Sequence, residues 1–190
     1  MRVKDDEKRQ ALFEATIQLV NEVGFASSSV SKIAKVANVS PSTLYIYHKN
    51  KEDLLVSAYM EVKREMAAAF ASDFDDTAPI RDILHNAWFS LFEYTNTNPK
   101  KYRYAEQFSN SPYLTLADHE ELEKHFSPLL AVIHRGVEQK IIKEVECELL
   151  VAYLFQPVPF LADVWNRKGR HMNEEEMETA FTMAWDAIKL

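Results

Sequence analysis

The chain has 190 residues, a single cysteine (Cys147) and a formal net charge of −7. A chain of this length buries about 70% of the surface its unfolded form exposes, so it needs no disulfide staples, and one cysteine could not supply them. No apolar core of signal-peptide length opens the sequence, and the longest apolar run, 149–162, has 14 residues interrupted by Gln156 and two prolines. A membrane span needs about 20, so a soluble, cytoplasmic protein without a membrane partner is expected. The charge is unevenly spread: residues 1–51 carry eight Lys or Arg against five acids, +3, which leaves −10 for the rest. A basic head on an acidic body points to polyanion binding by the head alone, and argues against a general DNA-coating protein.

Only three glycines occur, Gly24, Gly136 and Gly169. Helical spacing dominates and no alternation is long enough for a sheet, so the fold is expected to be all-α. A first helix is expected from about Asp5 to Val23, with Ala11, Leu12, Ala15, Leu19 and Val23 as its apolar stripe and Gly24 as a left-handed stop. Ser28 or Ser29 can cap a short second helix holding Val30, Ile33, Ala34 and Ala37, and Asn38 tolerates the left-handed turn that follows. Ser40-Pro41 reads as a cap and first-turn proline opening a third short helix. Asn50 can cap a fourth that runs through Leu54, Leu55, Ala58 and Val62 to about Ser72. Beyond a break at 72–79, a helix is expected over about 80–94, then a short helix and an irregular stretch around Ser111-Pro112. The next covers about 120–139, with Pro128 a kink or restart, and a long one from near Val145 must bend or break at Pro157 and Pro159. Asn173 and Glu176 match a capping box ahead of Met177, Phe181, Ala184, Trp185 and Ile188.

Two short helices about a tight turn, the second opening on small polar residues, describe a helix-turn-helix. Such a unit lays its second helix in the major groove of double-stranded DNA, with the N-terminal residues at the base edges. At about 100° per residue, with Leu44 toward the core, Pro41 and His48 fall on the core side. Ser42, Thr43, Tyr45 and Ile46 then occupy the far arc, and Tyr47 its flank. Hydroxyls and a tyrosine suit bases and phosphates, and an exposed Ile46 suits a thymine methyl. Lys49 and Lys51 lie beyond the helix, within reach of phosphates.

The segment SVSKIAKVANVSPSTLYIYHKNKEDLL, residues 29–55, resembles the signature of the tetracycline-repressor (TetR) family of bacterial transcriptional regulators. That pattern runs Ile-Ala, about four residues, Val-Ser, then Thr-Leu-Tyr, Tyr and Lys-x-x-Leu. The match covers about residues 8–56, and the remainder corresponds only in helical organisation. The resemblance implies base contacts from Ser42 and Tyr45 with Pro41 beside them. Phosphate contacts would come from Thr43, Tyr47, Lys51 and Ser29, and Ile46 could serve either purpose. Two positions depart from the pattern: Asn38 stands where Gly is usual, and His48 where Phe is common. His48 is read as a semi-buried histidine bonded to backbone, with a pH switch or phosphate contact as the alternative.

The resemblance further implies a DNA-binding head over residues 1–50 and a helical effector-binding and dimerisation domain over 51–190. A head this size reads one half-site, so a homodimer on a pseudo-palindrome is the economical arrangement. Leu149, Leu150, Tyr153, Leu154, Phe181, Trp185 and Ile188 are the expected dimer surface, the alternative being that they close the monomer's own core. A small, largely apolar or aromatic effector is expected among the middle helices, where Trp88, Phe89, Phe92, Tyr102, Phe108 and Phe126 are candidate pocket residues. Effector binding would change the separation or mobility of the two heads and so release the DNA. A body that binds a protein partner is the other reading.

No enzyme is expected. Three isolated glycines offer no phosphate cradle, dinucleotide fingerprint or nucleophile elbow, and Cys147 between Glu146 and Glu148 has its thiolate disfavoured. No cofactor is implied. His119 and Glu123 could meet a metal at i, i+4, but a solvated charged helix face is the preferred reading, and no metal site is expected.

Overall fold

The computed structural model describes residues 2–71 and 75–190. Among these, ten α-helices form: α1 (Arg2–Ser27), α2 (Val30–Val36), α3 (Pro41–Tyr47), α4 (Lys51–Ala71), α5 (Ile80–Thr97), α6 (Pro99–Ser109), α7 (His119–Glu138), α8 (Cys147–Phe155), α9 (Pro157–Arg167) and α10 (Glu174–Ile188). A 3₁₀ turn follows α6 at Pro112–Leu116. Packing groups the chain into two compact units, Met1–Arg64 with Pro99–His119, and Glu65–Asn98 with Glu120–Leu190. The expected boundary at residue 50 falls at the start of α4, and the first unit takes in 51–64 and 99–119 besides the head. The expected end of the fourth helix at Ser72 lies outside the described residues.

The first unit is organised by a small core. Leu12, Ala15 and Leu19 of α1, Ile33 of α2, Ala37, Leu44 of α3 and Leu54 of α4 are buried together, with Ala11, Val30, Val39 and Tyr47 packed against them. A fully buried Leu or Ile contributes roughly 1.5–3 kcal/mol of transfer free energy. Leu44 has no exposed surface and is the core anchor of α3, so Leu44→Ala would cost about 2–5 kcal/mol and free the helix that follows the turn. On the other side of α1, Asn21 Nδ2 donates to the Lys100 carbonyl (2.8 Å) and Gln107 Nε2 donates to Asn21 Oδ1 (3.0 Å), fastening α6. Tyr104 OH donates to the Leu55 carbonyl at 2.8 Å.

Gly24 does interrupt the first helix, but not as a left-handed stop. Its φ of 76° and ψ of 170° lie in a region open essentially to glycine alone, and helical turns resume through Ser27. Ser29 rather than Ser28 caps α2, accepting from Lys32 N–H (3.4 Å). Ser28 is fully buried and donates to the Phe25 carbonyl at 2.9 Å.

In the second unit α5 extends to Thr97, three residues past the expected Tyr94. Gly136 sits inside α7 because Ile142 folds back onto it: a Cβ there would stand 2.5 Å from Ile142 Cδ1. Ile141 and Ile142 N–H both donate to the Gly136 carbonyl. The expected long helix breaks at Gln156, where Pro157 lacks the N–H to continue the ladder, and α9 restarts with the proline in its first turn. Together Cys147–Arg167 are long and apolar enough to pass a length test for a membrane span. Leu150, Leu154, Phe155, Val158 and Ala162 are buried in the chain's own core, whereas Leu149, Tyr153 and Phe160 are exposed. The capping box opens α10: Asn173 Oδ1 accepts from Glu176 N–H (2.8 Å) and Glu176 Oε2 from Asn173 N–H (3.0 Å). Arg170 donates twice to the same carboxylate, and these bonds hold the Glu176 carboxyl down at about 2.

Candidate nucleic-acid interface

The turn between α2 and α3 is built from three local choices. Ala37 N–H closes α2 on the Ile33 carbonyl, Asn38 takes a φ of 54°, and Val39 N–H returns to the Ala34 carbonyl at 2.9 Å. Asparagine tolerates this left-handed conformation at small cost. Ser40 then caps α3, its Oγ accepting from Thr43 N–H at 3.2 Å. The Ser42 and Thr43 hydroxyls both hydrogen-bond to Ser40 Oγ, at 2.7 and 2.8 Å. Three hydroxyls thus gather at the entry of the helix.

Tyr45 and Ile46 stand out from the surface, 57% and 74% exposed, while Leu44 beside them is sealed. Ser42 is exposed, Thr43 and Tyr47 are half-buried, and Ser29 is exposed at the start of α2. Pro41, placed on the core side by helical phase, is exposed. As the first helical residue it has no preceding turn to carry it onto the core. Lys49 is exposed, as are Lys32 and Lys35 of α2, two of the eight bases of the head and neither of them among the expected contacts.

Two residues expected at phosphates already have partners inside the chain. Tyr47 OH donates to Asp5 Oδ1 at 3.0 Å, and loss of solvation, followed by that bond, raises the phenol's pKa. Lys51 Nζ donates to the Phe25 carbonyl at 2.5 Å, and Lys32 Nζ to the Ser27 carbonyl at 3.0 Å. His48 faces the core as expected, but its partner is a carboxylate rather than backbone, with Nδ1 3.3 Å from Asp53 Oδ2. Burial depresses its pKa and Asp53 offsets part of that. A cleft of about 260 Å³ beside it is lined by Asp6, Arg9, Phe13, His48, Leu54 and Glu61 among others.

The candidate pocket residues divide between the two units. Phe108 is fully buried in the first unit, stacked on Tyr59 at 4.3 Å and edge-on to Phe25 at 6.0 Å. Tyr102 is half-buried in that unit, its phenol pushed up to about 12 by burial. Trp88, Phe89, Phe92 and Phe126 belong to the second unit. There Trp88 touches Phe89 and Phe92, while Phe126 meets Phe70 at 5.9 Å. The candidate dimer residues also divide. Leu150, Leu154, Phe181, Trp185 and Ile188 are buried in the chain's own core, which removes them from any external surface. Leu149 and Tyr153, one helical turn apart on α8, remain exposed, with Phe160 of α9 and Met183 of α10 exposed as well. Among the described residues no group of three or more His, Cys, Asp or Glu is placed to hold a metal ion.

An exposed tyrosine and isoleucine on a short helix, with hydroxyls at its start and bases around it, match what a major groove offers: acceptor and donor edges, thymine methyls and phosphates. Comparison with known proteins agrees with this. Residues 12–58 match the family of bacterial regulatory proteins of the tetR family, and residues 79–189 match a tetracyclin repressor-like C-terminal domain. A TetR-family transcription regulator from Marinobacter aquaeolei has 35% identity and a TM-score of 0.90, with 100% of this chain and 99% of that one covered. An HTH-type transcriptional regulator of Haemophilus influenzae is 30% identical over 112 residues, 59% of this chain and 60% of that protein. Another from Bacillus subtilis is 22% identical over 173 residues, 89% of this chain and 90% of that protein. The chain belongs to the TetR family of helix-turn-helix transcriptional regulators.

Proposed function

We propose that this regulator is a ligand-responsive repressor that binds a two-fold-related pair of half-sites as a homodimer and is released by a small, largely apolar or aromatic effector. Residues 1–50 read the DNA, and residues 51–190 carry the effector and dimer functions. Ser42, Tyr45 and Ile46, with Pro41 beside them, meet base edges; Ser29, Thr43, Tyr47 and Lys51 meet phosphates. The observation that carries this reading is the exposed Tyr45–Ile46 face on a helix whose opposite side, at Leu44, is completely buried. An anchored helix with two large side chains presented outward is a rigid reader, and rigidity is what lets side chains discriminate bases.

Two exposed apolar residues one turn apart, Leu149 and Tyr153, support a helical dimer face on α8. The regulator is proposed to act from the cytoplasm, where DNA is reached directly. Selecting bound duplexes from a random pool with the purified protein tests the reading. An enriched two-fold-symmetric sequence is the expected result. Enrichment of a single unpaired half-site would contradict the dimer, and no enrichment at all would contradict the sequence reader.

A further inference from the structure

We infer that the indole N–H of Trp88 is the polar reading group of the effector site, and that the effector is an apolar molecule headed by a hydrogen-bond acceptor, neutral or anionic, rather than a cation. This rests on the proposed ligand-responsive reading. The observation is an orphan: Trp88 on α5 is fully buried, and its Nε1 has no acceptor among the described residues. An indole nitrogen is a donor only. A buried donor without a partner is costly, and tryptophans that are buried usually find one. The other buried polar side chains of this protein show what satisfaction looks like, as with Thr16 on the Leu12 carbonyl at 2.7 Å and Thr95 on the Leu91 carbonyl at 2.8 Å.

The surroundings define the rest of the ligand. Trp88 lies parallel to Phe92, with centroids 5.8 Å apart, and against Phe89 and Phe181 at 5.5 and 6.2 Å. These rings pack on one another, so a ligand reaching Nε1 must part them, and the surface it then meets suits an apolar body. Phe92 and Phe181 are buried, whereas Phe89 is half-buried, so a rotamer change at Phe89 is the least obstructed way in. The carboxylate that could have answered a cation, Glu178, is taken: His85 Nε2 stands 2.6 Å from its Oε1, and the His85 ring stacks on Phe89 at 4.2 Å. Arg81 lies over Phe181, with its guanidinium carbon 5.2 Å from the ring centre, a positive charge that an acceptor head can meet. A ligand whose carbonyl or carboxylate oxygen reaches Nε1 removes the orphan. One with a quaternary ammonium head leaves it.

Two probes with the same tail separate these cases: decanoate, with an acceptor head, and decyltrimethylammonium, with none. Each is titrated into the ¹⁵N-tryptophan-labelled full chain while the indole N–H resonances are followed, and into its complex with duplexes selected from the random pool. Trp88, Trp165 and Trp185 give three signals, assigned with Trp165→Phe and Trp185→Phe so that no change at Trp88 is needed. Decanoate is expected to shift the Trp88 signal downfield and weaken DNA binding at least tenfold, with decyltrimethylammonium doing neither. Trp88→Phe, where it folds, is expected to lose the decanoate response and keep DNA binding. Equal effects of the two probes would overturn the inference, as would no effect of either. Release of DNA with the Trp88 signal unmoved would overturn it too, while leaving the ligand-responsive reading standing.

Discussion

Lys51 Nζ, on the first residue of α4, donates to the carbonyl of Phe25, 26 positions earlier and one residue beyond the Gly24 break in α1. The bond fastens the end of α1 to the helix that follows the reader, and Phe25 itself sits among Tyr104, Phe108 and Tyr113. A lysine expected at phosphate therefore serves the fold. Hydrogen bonds from charged donors contribute about 1.5–3 kcal/mol. Lys51→Met is expected to lower the stability of the folded protein by about 1–2 kcal/mol in denaturant unfolding, besides weakening all duplexes to a similar degree. A stability indistinguishable from the parent would leave the phosphate as its sole partner.

Asp5 holds the hydroxyl of Tyr47 at the edge of the proposed DNA-reading surface. A carboxylate there repels phosphate and competes with it for the phenol's hydrogen. Asp5→Asn is expected to tighten binding severalfold on selected and random duplexes alike, with a larger gain at low salt because the effect is electrostatic. A gain confined to the selected duplex would contradict this, since phosphate contacts carry no sequence information.

His48 links stability to pH. Burial lowers its pKa below the unfolded value of 6.5, and Asp53 compensates in part. The folded state therefore binds fewer protons than the unfolded one between the two pKa values, and stability rises with pH there. This contribution is complete above about pH 6.5 and is lost as the pH falls through the folded value. His48→Phe, the residue common at this place in the family, is expected to flatten the melting temperature below about pH 6.5 relative to the parent. Parallel pH profiles for the two proteins would refute the linkage.

Leu149 and Tyr153 test the dimer without disturbing the core. Both are exposed, so a charge at either costs the monomer little. In a dimer face an unpaired buried charge is strongly unfavourable. Tyr153→Asp is expected to yield monomers in sedimentation at micromolar concentration with the melting profile of a folded chain. A dimer that survives Leu149→Asp combined with Tyr153→Asp would place the interface elsewhere.

Much of the helical order is legible in the sequence because its signals are local. Ser40, Asn50 and Asn173 each bond to the backbone N–H three residues on, and Asn38 adopts the positive φ that its side chain tolerates. Leu44 and its neighbours obey helical phase. What could not be read is what depends on residues far apart in sequence. No pattern around Phe25 announces Tyr104, Phe108 and Tyr113 as its neighbours, and Lys51 gives no sign of reaching back to a carbonyl. Apolar character alone also fails to divide α8, where Leu150 and Leu154 turn to the core while Leu149 and Tyr153 do not. Periodicity gives the faces of a helix, but not which of two apolar faces meets the chain's own core.

In the proposed mode of binding, α3 reads sequence through Tyr45 and its neighbours. The most direct test compares Tyr45→Ala with the parent protein on the selected duplex and on random DNA at one salt concentration. A base-edge contact is worth about 1–3 kcal/mol of discrimination. Tyr45→Ala is expected to lose roughly 10- to 100-fold on the selected duplex with little change on random DNA. Equal losses on both would show Tyr45 to be a phosphate contact and contradict the assignment of the reading face.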